Sequence, residues 1–151
     1  MTLKEAILQF VLERPVRKAS VAELVARLTA SGAALNTRFG GIVNRDANRE
    51  ALRHIIGIER WSQQRLKVFL GYPFQQDEYD GYRPSDHHSW NDLRDLFAEV
   101  RRDTVSIGRQ IDQQKLPDTE KVPHNDVGPL SAKAWLKYIL EHTNRESRRV
   151  H

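Results

Sequence analysis

The chain has 151 residues and no cysteine, which excludes disulfides, thiolate metal sites and a cysteine nucleophile. It also lacks any apolar run near the roughly 20 residues that cross a bilayer. The opening segment, MTLKEAILQF, carries Lys4 and Glu5 where a secretory signal needs an unbroken apolar core. These absences point to a soluble cytoplasmic protein with no membrane partner. Internal repeats and low-complexity segments are missing as well. So is a strong excess of one charge: 24 basic residues against 20 acidic ones leave a net charge of +4. The basic residues alternate with acids along helical stretches, the pattern of solvated helix faces rather than of a nucleic-acid footprint. The length suits one domain, residues 1–151, with a core large enough to fold unaided.

Runs of alternating apolar and polar residues are absent too, so no strand is expected and the fold class is all-α. Serine and threonine caps divide the helices. Thr2 with Glu5 has capping-box spacing and opens a first helix, within residues 1–18, whose apolar face is Leu3, Ile7, Phe10 and Val11. Pro15 is expected to end it. Ser20 with Glu23 opens a second helix, with Leu24, Val25, Leu28, Leu35 and Phe39 on one side; Gly32 weakens its middle and Gly40-Gly41 marks its end. After a polar turn at 44–48, a third helix spans about Arg49 to Leu70 and stops at Gly71. It is apolar on two sides, with Leu52, Ile55, Ile56 and Leu66 on one and Ile58, Trp61, Val68 and His54 on the other, the mark of a central helix.

The loop from Tyr72 to His88 is long and rich in aromatics, which favours an ordered rim or lid over a connector. Its last residues, His87 and His88, read first as surface groups and second as accessory ligands. Ser89 caps a helix to about Ile111, whose Leu93, Phe97, Val100, Thr104 and Ile107 repeat at core spacing with no chemistry evident on them. A polar connector at 112–129 carries His124 and Asp126, a weak signal.

The last helix, Ser131 to Val150, holds the most informative residues. At about 100° per residue its apolar face gathers Ala132, Trp135, Leu136, Ile139 and Thr143. His142 and Glu146, one turn apart, fall on that same face. A carboxylate withdrawn from water needs a cation, a hydrogen-bond donor or a metal. Two readings stand. In one, Glu146 frays into solvent and His142 is an ordinary core histidine. In the other, the two residues share one metal ion at i, i+4 spacing.

The stretches ALRHIIGIERW, EYDGYRPSDHHSWNDLRDLF and VPHNDVGPLSAKAWLKYILEHTNRE, in this order, resemble the second helix, the loop into the third helix and the fourth helix of DinB-like proteins. The resemblance covers roughly Ser20 to Val150. It implies an up-down four-helix bundle over residues 19–150, with the first helix as an extra element, and a homodimer. It also implies a divalent metal held by three histidines, one on the second helix and two, four residues apart, on the fourth. By position these fall on His54, His142 and Glu146, so the third histidine is a carboxylate here. Two histidines and a carboxylate suit Zn, Ni, Fe or Mn, although the change could equally mark a site that has lost its metal. Relatives in this family include enzymes that use low-molecular-weight thiols on small-molecule substrates. A metal-dependent thiol S-transferase or hydrolase is therefore the first expectation. A catalytically inactive, metal-free bundle that binds a small ligand or protein is the second, and a nucleic-acid-binding protein a distant third, resting on the helix pair around PVRKAS.

Overall fold

The computed structural model describes residues 1–151. Five α-helices dominate it: α1 (Leu3–Val16), α2 (Val21–Gly40), α3 (Asp46–Val68), α4 (Trp90–Gln114) and α5 (Ala132–Glu146). A short 3-10 turn, Tyr79–Tyr82, interrupts the long loop, and another, Ser147–Arg149, follows α5. No helix is long and apolar enough to cross a membrane.

Capping chemistry sets the helix starts. Thr2 with Glu5, Ser20 with Glu23 and Ser89 with Asp92 each form a reciprocal capping box, and the Ser131 hydroxyl accepts from the Ala134 N–H at 3.2 Å. Pro15 does not stop α1 but lies within its final turn, which closes one residue later at Val16. The turn expected at 44–48 is shorter than the sequence indicates, because α3 already begins at Asp46. At the other end, Gly71 adopts φ +97°, the left-handed conformation its composition signals. Helix α4 runs past Ile111 to Gln114, and Lys115 ends it at φ 51°.

Helices α2 and α3 each pack on both α4 and α5, while α1 packs on α5 and on the second strand. The apolar interior has two parts. One surrounds Trp61, Trp135, Leu28 and Leu136; the other surrounds Phe39, Leu52, Ile55 and Phe97. The face of α1 read as buried is instead exposed: Leu3, Ile7, Phe10 and Val11 retain half or more of their accessible surface. Leu12 and Val16 face inward in their place. The helix is anchored by a polar contact, with Glu13 accepting from both the N–H (2.7 Å) and the hydroxyl (2.8 Å) of Ser131.

The absence of strands does not hold. Lys121–His124 (β1) and Gly128–Ser131 (β2) pair antiparallel, with Pro123 opposite Pro129. Each strand has only four residues, and prolines stand where alternation would be read, so the pattern is hidden. The hairpin turns Val122 and His124 inward, and Val122 O accepts from Trp135 Nε1 at 3.0 Å.

Helix α4 also carries buried chemistry that its regular apolar spacing conceals. Arg101 is 4% exposed and meets Glu59 of α3, itself 1% exposed, through Nε–Oε1 (2.7 Å) and NH2–Oε2 (3.0 Å). Two further guanidinium hydrogens reach Leu28 O at 3.0 Å and Thr143 Oγ1 at 3.1 Å. Thr104 donates to Glu59 Oε1 at 2.7 Å and accepts from Gln63 at 3.0 Å. Every helix of the α2–α5 set therefore contributes to one satisfied polar network. Gly32 makes room for it, since a Cβ there would sit 2.7 Å from Arg101 Cγ. The glycine that weakens α2 in isolation lets the arginine stem cross it.

Candidate metal centre

His54 lies near the middle of α3 and His142 near the end of α5, and packing of these two helices brings their rings to a centroid separation of 5.2 Å. Glu146 follows one turn after His142. Donor atoms of His54, His142 and Glu146 all lie within 4.8 Å of one another. Bonds of 2.0–2.2 Å allow two donors on one ion to stand at most about 4.4 Å apart. A shift of a few tenths of an ångström in side-chain position would close the set.

Glu146 does not fray. The segment after it is fastened from two sides. Arg38 of α2 donates to Ser147 O (2.5 Å) and Val150 O (2.8 Å), and Asn48 of α3 pairs with both the N–H and the carbonyl of His151. Val150 is completely buried. The α-helix itself stops at Glu146, shorter than the sequence pattern indicates, and the tighter 3-10 turn folds Arg149 back onto Glu146 at 3.1 Å. Arg145 approaches the other carboxylate oxygen at 3.5 Å. Arg149 is thus the closest cation partner of Glu146. Arg53 instead bonds Glu50 and Pro84 O.

The protonation states favour coordination. Burial pushes His142 down to about 4, and the neighbouring His54 adds to the effect while Glu146 opposes it. Burial also lowers His54, with Glu146 acting against it and Arg83 and Arg149 with it. For Glu146, burial alone would raise the carboxyl, but the Arg149 hydrogen bond and the two histidines outweigh it and bring the group below its usual value. At neutral pH the three therefore present two free imidazole lone pairs and an ionised carboxylate, the forms that bind a divalent ion.

The long loop does form a rim. Tyr79 sets its ring edge-on to His54 at 5.9 Å, and Tyr138, one turn before His142 on α5, lies 5.9 Å from that histidine. Asp77 ties the loop down, accepting from Trp61 Nε1 at 3.1 Å and Arg65 NH2 at 3.3 Å and pairing with the Tyr82 hydroxyl. Gly57, one turn from His54, allows the loop backbone at Arg83 to approach closely: an added Cβ would stand 3.1 Å from Arg83 Cα. The i, i+4 spacing of Tyr138 and His142 is visible in the sequence, whereas Tyr79 reaches the site only through the loop's tertiary path.

The remaining histidines stay outside the triad. His87 is exposed beside Asp86, and His88 is partly exposed. His124 is buried among Trp61, Trp135 and Tyr138, and its Nδ1 accepts from the Asp126 N–H at 3.0 Å. Burial holds it at about 4. Compared with known proteins, the chain matches no family model, no curated protein and no solved structure.

Proposed function

We propose that this chain is a DinB-like four-helix bundle with an added N-terminal helix. In this reading His54, His142 and Glu146 hold a divalent ion, Zn, Ni, Fe or Mn, and the protein acts on a small-molecule substrate as a thiol S-transferase or hydrolase. The observation that carries the reading is the convergence of three donors from α3 and α5 within 4.8 Å, two of them neutral imidazoles. A divalent ion there would supply Lewis-acid chemistry, lowering the pKa of a water or low-molecular-weight thiol toward neutrality. The chain's own residues do the rest. Arg149 helps hold the Glu146 carboxylate ionised, and Arg145 lies 3.5 Å from its other oxygen. Tyr79 and Tyr138 flank the imidazoles. No side chain near the triad stands out as a separate general base.

The second reading, a metal-free bundle, is favoured by the Glu146–Arg149 contact, which already gives the carboxylate a cation partner. The two are separated by incubating zinc-loaded protein with electrophilic substrates and a panel of small thiols, following thiol consumption. Turnover that disappears in His54→Ala supports the enzyme. Protein that retains no zinc after loading and turns over no pairing supports the metal-free bundle.

A further inference from the structure

Beside the triad, an open cleft of about 670 Å³ runs between the start of α3, the long loop and the segment after α5. His54 is one of its lining residues, so the cleft reaches one member of the candidate metal centre. The volume falls within the roughly 300–1,000 Å³ of small-molecule sites, yet its walls are polar and charged rather than apolar. Arg83, Arg148 and Arg149 line it against one lining carboxylate, Glu50.

The ion pairs around the cleft leave positive charge uncompensated. Glu50 is shared between Arg53 at 2.6 Å and Arg83 at 2.9 Å, and Glu146 between Arg149 at 3.1 Å and Arg145 at 3.5 Å. Arg148 is exposed and has no acceptor. Five guanidiniums thus meet two carboxylates. An excess of one remains even when Asp80, whose charge acts on His54, and a terminal carboxylate on His151 are both counted.

We propose that this cleft binds the oxyanion group, a carboxylate or a phosphate, of the small-molecule substrate. Arg148 is its unencumbered anchor, and Arg83 supplies a second donor at the opposite wall. Guanidiniums present paired N–H groups that match such oxyanions in the plane. A substrate held this way has its remaining atoms directed toward His54. A concave cleft bounded on one side by the loop at Arg83 fits a small anion, whereas a polynucleotide needs an extended basic surface. The assignment rests on the metal-centre reading for its chemistry but not for binding.

The test is a titration of the full chain, EDTA-treated and then zinc-loaded, with inorganic phosphate and separately with acetate, following backbone and arginine side-chain NMR signals. Saturating shifts at Arg83, Arg148 and Arg149 with either anion are expected in both forms. Arg148→Glu should weaken binding by about tenfold or more, the loss of one charge-assisted hydrogen-bonding group. Arg109→Glu, the same charge change on an exposed residue of α4, should alter it less than twofold. No saturating shift, or equal weakening by both variants, would overturn the proposal. So would a short DNA duplex engaging the same arginines with steep salt dependence. Anion binding without zinc uptake would sink the metal reading alone, and zinc uptake without anion binding would sink this one alone.

Discussion

Replacing Arg101 with methionine should be among the most damaging single changes in the chain. The substitution keeps most of the side-chain volume but strips Glu59 of its cation. Glu59 is 1% exposed and its two oxygens then retain only the Thr104 hydroxyl. Removing one member of a buried ion pair costs about 3–5 kcal/mol, since the survivor is a charge without water or partner. Domains of this size commonly have about 5–15 kcal/mol in total, and about 2–4 °C of melting temperature accompanies each kcal/mol. A fall of roughly 6–20 °C is therefore expected. The double variant Glu59→Met, Arg101→Met removes both charges. Leu28 O and Thr143 still lose the Arg101 contact, at about 1 kcal/mol each, while Thr104 exchanges Glu59 for Val100 O and keeps Gln63, so it should be no worse than Arg101→Met alone and far milder than the sum of the two single changes. Urea and thermal unfolding followed by circular dichroism give all four corners of the cycle. A cost below about 1 kcal/mol for Arg101→Met, or strict additivity in the double variant, would refute the reasoning.

Acid should loosen the metal-free protein well above the carboxylate range. His124 and His142 titrate near 4 in the fold against about 6.5 when unfolded, so the unfolded chain takes up protons first and stability falls as the pH drops from about 6.5 toward 4. By pH 5 the loss is about 2 kcal/mol per histidine, and a urea midpoint unchanged between pH 7 and pH 5 would contradict it. Ile7→Ser on the exposed face of α1 should change stability by no more than about 0.5 kcal/mol. A larger loss that depends on protein concentration would place this face in a homodimer contact instead.

The helical character and most of the boundaries were legible because they depend on local chemistry: four N-caps, the glycine stop at Gly71, and apolar spacing on α2 to α5. The candidate site was legible for a related reason. His142 and Glu146 interrupt an apolar face at i, i+4, and His54 stands on the second apolar side of α3, so helix packing alone brings them near one another. What escaped depends on tertiary partners. The β1–β2 hairpin hides behind Pro123 and Pro129. The apolar residues of α1 suggest a buried face, but only Leu12 and Val16 find neighbours, because Glu13 fixes the helix through Ser131. Arg101 was open to detection, since it lies one turn after Phe97 and nearly one before Thr104, within the core stripe of α4. Its spacing, however, does not reveal Glu59 as its partner. The C-terminal turn that returns Arg149 to Glu146 depends on Arg38 and Asn48, residues remote in sequence.

The triad is tested most directly by elemental analysis of full-length protein prepared without nickel resin, before and after loading with Zn, Ni, Mn or Fe(II). One equivalent of a divalent metal per chain is expected. It should be lost in His142→Ala, weakened in Glu146→Gln and kept in Glu146→His, which supplies a third imidazole. Protein that takes up none of these metals, or that binds as much after His142→Ala as before, would contradict a metal centre at His54, His142 and Glu146.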